Sequence, residues 1–100
     1  MKIASALGVI DLRTLQEAKD KCLNNIRSIC STTIEAKIDR IGQQNAALGI
    51  YPPERCEAIK SYISACRNEY LRCKALIQAA QTNDEADAVQ FVAPPVPEGL

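Results

Sequence analysis

The sequence predicts an all-α fold, an antiparallel helical hairpin of two long amphipathic helices followed by an extended Pro-rich tail. Three observations lead there. Apolar residues recur at helical spacings through residues 11–83, and one stretch holding Gly42, Gly49, Pro52 and Pro53 divides them. The aromatics are few, only Tyr51, Tyr62, Tyr70 and Phe91. A core of Ile, Leu, Ala and Cys suits thin helix pairs better than a thick globule. With 100 residues the chain is a single small domain, and such domains bury only about 60–65% of their unfolded surface. Marginal stability of the lone chain, and a partner to relieve it, are therefore expected.

Residues 1–10 read as an N-terminal arm or a short helix. The apolar stretch Ile3–Ile10 is interrupted by Ser5 and Gly8 and stopped by Asp11, and no small-residue cleavage site follows, so it does not read as a signal peptide. No run approaches the roughly 18–20 apolar residues of a membrane span. The expected compartment is the cytoplasm, where thiols stay reduced.

The hairpin domain covers residues 11–83. Asp11 can cap a helix, and Thr14-Leu15-Gln16-Glu17 has the form of a capping box. From there Leu15, Cys22, Leu23, Ile26, Ile29, Cys30, Ile34, Ile38 and Ile41 form one apolar stripe. Either Gly42 or Gly49 is suited to end this helix in a left-handed conformation. The second helix starts at Pro52-Pro53-Glu54, where proline loses no needed hydrogen bond and Glu54 complements the helix dipole. Its Ile59, Ile63, Cys66, Tyr70, Cys73, Ile77 and Ala80 alternate steps of four and three, the 3.5-residue seam of coiled-coil packing. The helix–helix seam is accordingly predicted to be Leu15, Cys22, Ile26, Ile29 and Cys30 against Ile59, Ile63, Cys66, Tyr70, Cys73 and Ile77.

Residues 84–100 form an acidic, then Pro-rich, tail. All 12 Lys and Arg lie in residues 1–82 with 8 of the 12 acids, so a +4 body carries a −4 tail. Ala93-Pro94-Pro95-Val96-Pro97 is polyproline-like and cannot continue a helix. Two readings stand: a disordered terminus, or a strap whose Val89, Phe91, Val92, Pro94 and Pro95 dock on another subunit. Tyr62, Leu71 and Leu76 lie off the main seam and are predicted to join those tail residues in binding a partner.

The residue types exclude much chemistry. Without histidine there is no Ser-His-Asp or Cys-His nucleophile and no His metal site. The glycines Gly8, Gly42, Gly49 and Gly99 are too scattered for a phosphate loop. Acids such as Glu35 and Asp39 sit one turn apart on a helix face, as solvated partners for cations. Neither an enzyme nor a cofactor site is predicted.

The five cysteines admit two readings. A single zinc does not fit: Cys22 and Cys30 on one helix lie about 12 Å apart, and no CxxC pair exists. Facing residues of an antiparallel hairpin have nearly constant summed numbers, so Cys22 can face Cys73 while Cys30 faces Cys66, if helix 1 ends at Gly42. If it runs to Gly49, Cys30 faces Cys73 instead. Two stacked bridges would resemble coiled-coil-helix-coiled-coil-helix proteins, but the twin CX9C spacing is absent and no membership follows. The simpler reading is reduced thiols packing as small hydrophobes on the seams, with Cys56 near the turn as the exposed one.

Lys60, Arg67 and Lys74 recur every seven residues. In the Gly42 register Lys60 faces Glu35 and Lys74 lies near Asp20, as on a coiled-coil flank. The small net charge and scarce aromatics argue against nucleic acid. The expected role is a small adaptor, assembly or virion-type subunit that self-associates or docks into a larger structure. The alternatives are a disulfide-stapled hairpin of an oxidising compartment and a regulator binding nucleic acid or a nucleic-acid enzyme.

Overall fold

The computed structural model describes residues 2–5 and 8–100, with side chains from Ile10 onward. Its elements are β1 (Lys2–Ser5), β2 (Gly8–Asp11), α1 (Leu15–Glu35), α2 (Arg40–Ala47), α3 (Pro53–Ala79) and α4 (Asn83–Asp87). The all-α class holds, with α1 packed against α3 as the central helix pair. The N-terminal arm is not a helix. β1 and β2 pair antiparallel, with Ile3 opposite Ile10 and Ala4 opposite Val9, as the β-branched residues of this stretch favour.

Helix α1 starts at the predicted capping box: Glu17 N–H donates to Thr14 Oγ1 at 3.1 Å and Thr14 N–H donates to Glu17 Oε1 at 3.3 Å. Asp11 ends β2 instead. The helix is shorter than its apolar stripe. It stops at Glu35, and Asp39 turns extended and caps a new helix, its Oδ1 accepting from Gly42 N–H at 2.7 Å. Gly42 therefore sits in the first turn of α2 and terminates nothing. A Cβ there would lie 3.0 Å from Ile38 Cγ2 and 3.1 Å from Asp39 Oδ1, so a larger residue would press on the cap and on the buried Ile38. Gly49, at φ +72°, does end a helix, but that helix is α2. Ile50 N–H reaches Asn45 O at 2.9 Å and Gly49 N–H reaches Ala46 O at 3.2 Å, the paired bonds of a Schellman close. Neither predicted terminus of the first helix is correct, because Ile34, Ile38 and Ile41 carry the apolar period straight through the break.

Helix α3 begins at Pro53 and runs to Ala79. Two continuous clusters surround it. One joins Cys30, Ile34, Ile38, Ala46, Ile59, Tyr62 and Cys66; the other joins Ile26, Cys73, Ile77, Ala80 and Ala86. Tyr70 and Phe91 pack against both. A short α4, capped by Thr82 Oγ1 on Glu85 N–H, folds back on α1 and α3. The predicted boundary at 83/84 falls inside it, and the tail proper begins after Asp87.

That tail is an ordered strap on its own chain. Val89 packs on the second cluster and Leu100 on the first, while Gly99 lies beside Ala58. The strap thus runs antiparallel to α3, from the level of Cys73 to that of Ala58. About 22 Å of helix axis separates those levels, and a polyproline-like run from Gln90 to Gly99 spans about 28 Å, enough to cover the distance with a modest wrap. Its polar anchors are Val92 N–H donating to Glu69 Oε2 at 2.7 Å and Arg72 Nη2 donating to Gln90 O at 3.0 Å.

Arg72 also holds Glu69 through a hydrogen-bonded ion pair at 2.6 Å. That guanidinium, with the Val92 N–H, lowers the Glu69 pKa from 4.5 to about 2. A depressed carboxylate contributes stability that is fully present above its unfolded value and lost as pH falls through its folded one. The melting temperature is therefore expected to drop between about pH 4.5 and 2, and Glu69→Gln should flatten that part of the profile. An unchanged profile in the variant would remove Glu69 from acid sensitivity.

Candidate functional site

Three of the most exposed large apolar residues among those described lie at the tip where α2 meets the loop into α3. One face of α2 is committed inward through Gly42 and Ala46. The opposite face carries Ile41 and Leu48, two turns apart, and the loop adds Ile50; these are 67%, 75% and 64% exposed. The loop is held by Tyr51. Its hydroxyl accepts from Asn45 Nδ2 at 3.2 Å, its carbonyl accepts from the Cys56 thiol at 3.3 Å, and Arg55 lies over its ring at 4.0 Å. Beside Leu48 lies a hollow of about 420 Å³ walled by Ala47, Tyr51, Pro53, Cys56, Glu57 and Lys60. An exposed apolar residue, Leu48, therefore stands at the edge of a hollow.

This tip was not among the predicted partner residues, and Ile41 reads in the sequence as part of the α1 stripe. The seven-residue spacing of Ile41 and Leu48 was the available signal. Of the predicted partner residues, Tyr62 is buried in the first cluster at 2% exposure, so it is core and not a contact. Val89 and Phe91 are engaged by their own helices. Leu71, Leu76 and Val92 are exposed, but Leu71 and Leu76 are five residues apart and point about 140° away from each other on a helix. Pro94 and Pro95 line a shallow hollow with Ala65, Asn68 and Glu69 of α3, again on their own chain.

On the seam, Ile26, Cys30, Ile59, Cys66, Cys73 and Ile77 are buried, and Leu15, Cys22, Ile63 and Tyr70 half-buried. Ile29 departs from the prediction at 44% exposure; it is one residue, about 100° of helix, from the inward Cys30.

All five cysteines are free thiols. Cys30 and Cys66 do come together: the Cys30 thiol lies 3.5 Å from the Cys66 carbonyl. Cys22 packs at the edge of the cluster holding Cys73, but its thiol donates to Asp87 Oδ1 at 3.3 Å. Burial pushes up the pKa of Cys22, Cys30, Cys66 and Cys73, which favours inert thiols over nucleophiles. Cys56 is buried and Cys22 is the partly exposed one, the reverse of the prediction, because Tyr51 folds over Cys56.

The predicted pairs Lys60–Glu35 and Lys74–Asp20 do not form. The break after Glu35 shifts the register that would have joined the first pair, and Asp20 instead accepts from Gln16 Nε2 at 2.8 Å. Arg13 makes the longest-range ion pair among the described residues, joining Asp11 at 2.8 Å and Asp87 at 2.7 Å. Arg13 holds Asp11 well below the usual carboxylate range. Asn83 Nδ2 adds a bond to Arg13 O at 3.0 Å, so the end of the β-hairpin is tied to α4. Asp84 completes a group of three carboxylates within 4.8 Å. These are the described residues best placed to hold a cation, and Arg13 already bridges two of them.

Among the described residues no helix is long and apolar enough to cross a membrane. Comparison with known proteins finds no family model, no curated protein and no solved structure that matches the chain.

Proposed function

We propose that this chain is a non-enzymatic structural module that enters an assembly through its α2 tip, with self-association as the first form of contact. The observation that carries the reading is the exposed trio Ile41, Leu48 and Ile50 beside the hollow at Tyr51 and Pro53. An exposed apolar residue at the edge of a hollow is self-complementary under a two-fold axis, the commonest symmetry of homo-oligomers. The loop is also held by the Tyr51 contacts, so docking costs little loop ordering. Among the described residues the buried side-chain N and O atoms are satisfied, which suits a scaffold.

Light scattering on the full chain is expected to give a concentration-dependent mass above the 10.9 kDa of one chain. Leu48→Glu with Ile50→Glu should return it to one chain, while the melting temperature measured at low concentration stays close to wild type. Both positions are exposed, and surface changes of this kind cost about 0.5 kcal/mol or less. A wild-type mass of one chain at every concentration would overturn self-association. An oligomer indifferent to both substitutions would overturn the tip as its interface.

A further inference from the structure

We propose that the open groove between α1 and α3 is a binding site for a small amphiphilic anion, a carboxylate or phosphate head on a short apolar body. The groove measures about 330 Å³, within the lower range of small-molecule sites. Arg27 on α1 and Arg67 on α3 stand on its two walls. Both are exposed, and neither takes part in any of the chain's ion pairs or side-chain hydrogen bonds. No carboxylate lines the groove. Each of three other hollows has at least one acid in its lining, Glu69 beside Arg72, Asp39 beside Arg55 and Lys37, and Glu57 beside Lys60, though of these only Arg72 and Glu69 form an ion pair. Here two arginines line one concavity whose lining holds no acid. A carboxylate or phosphate suits their planar donor forks.

The rest of the lining says what the head group must be attached to. Cys30, Ile34 and Ile63 supply an apolar floor, which inorganic phosphate alone would leave uncovered. Ser31 and Tyr70 line the same space, and their hydroxyls make no hydrogen bond among the described residues. Gln43, its amide fixed by the Ile38 carbonyl at 3.0 Å, brings α2 against the groove. The small volume favours a small molecule over an extended polymer. The site is independent of the tip contact, since it uses neither Leu48 nor Ile50.

Calorimetric titration of the full chain with decanoate, decanol and inorganic phosphate tests this directly. Decanoate is expected to bind one site per chain and to weaken as salt rises, because exposed charges are screened. Arg27→Gln with Arg67→Gln should weaken it by about tenfold or more, with melting unchanged because neither side chain has an internal partner. Lys60→Gln, off the groove, should bind as wild type. Decanol and phosphate should each bind weaker than decanoate by about tenfold or more. Bound decanoate should also slow alkylation of Cys30, on the groove floor, without slowing that of Cys56. No detectable decanoate binding overturns the proposal, as does binding indifferent to the double substitution. Equal binding of decanol or of phosphate would overturn the amphiphilic anion as ligand.

Discussion

Tyr62→Ala is expected to cost about 3–5 kcal/mol, the range for removing a large buried ring. Tyr62 is the largest of the fully buried side chains and sits among Cys30, Ile34, Ile38, Ala46, Ile59 and Cys66. Those neighbours come from α1, α2, α3 and the turn between the first two, so the cavity would open where three helices meet and none can collapse alone. For a domain of this size each kcal/mol moves the melting temperature by roughly 4–8 °C, and total stabilities are only about 5–15 kcal/mol. Thermal melts followed by circular dichroism should show a loss of 12 °C or more, on the order of the product of those ranges, or no cooperative transition. Tyr62→Phe keeps the ring and nearly all of its volume and should cost less than about 1.5 kcal/mol, as volume-conserving swaps do. A Tyr62→Ala protein that melts like wild type yet fails to assemble would return Tyr62 to the partner surface the sequence suggests.

Why Tyr62 is legible as a surface residue is a matter of how many layers pack on α3. A two-helix seam covers a stripe of one residue in 3.5, and Ile59, Ile63, Cys66, Tyr70, Cys73 and Ile77 follow it through the helix. In the structure α2 and the tail add further faces, so Tyr62, Cys56 and Ala58 become buried as well. Neither extra layer announces itself. The break between α1 and α2 rests on the Asp39 cap and on the close approach at Gly42, while the apolar period runs on unbroken. The tail has the composition of a chain with no regular structure, but lack of regular structure does not prevent packing. Local signals with short range were legible: the Thr14 capping box, the prolines at the start of α3 and the left-handed Gly49. The tip of Ile41, Leu48 and Ile50 was hidden by the same missed break, since Ile41 faces solvent only once α2 turns away from α1.

The strap gives the second large effect. Phe91→Ala is expected to cost about 1.5–3 kcal/mol, the value of burying one such ring, with the lower part of the range favoured because Phe91 is half-buried. Phe91 packs on both clusters at once, and the neighbouring Gln90 carbonyl accepts from the Cys73 thiol at 3.5 Å. Cys73, wholly buried, is therefore covered by the strap and becomes reactive only when the strap lifts. If that lifting is a local opening, its free energy falls by the full cost of the substitution. Two kcal/mol then raises Cys73 alkylation by about thirtyfold, while Cys56, far along α3 under Tyr51, reacts at its former rate. Site-resolved mass spectrometry after a timed pulse of alkylating reagent separates the cases. Faster labelling of Cys73 alone identifies the tail as a separately opening layer. Equal acceleration at both sites would mean that strap and helices open as one unit, with the strap as much a part of the core as the seam. Unchanged labelling at both would show that Phe91 does not hold the tail down, and that the Glu69 and Arg72 bonds alone keep Cys73 covered.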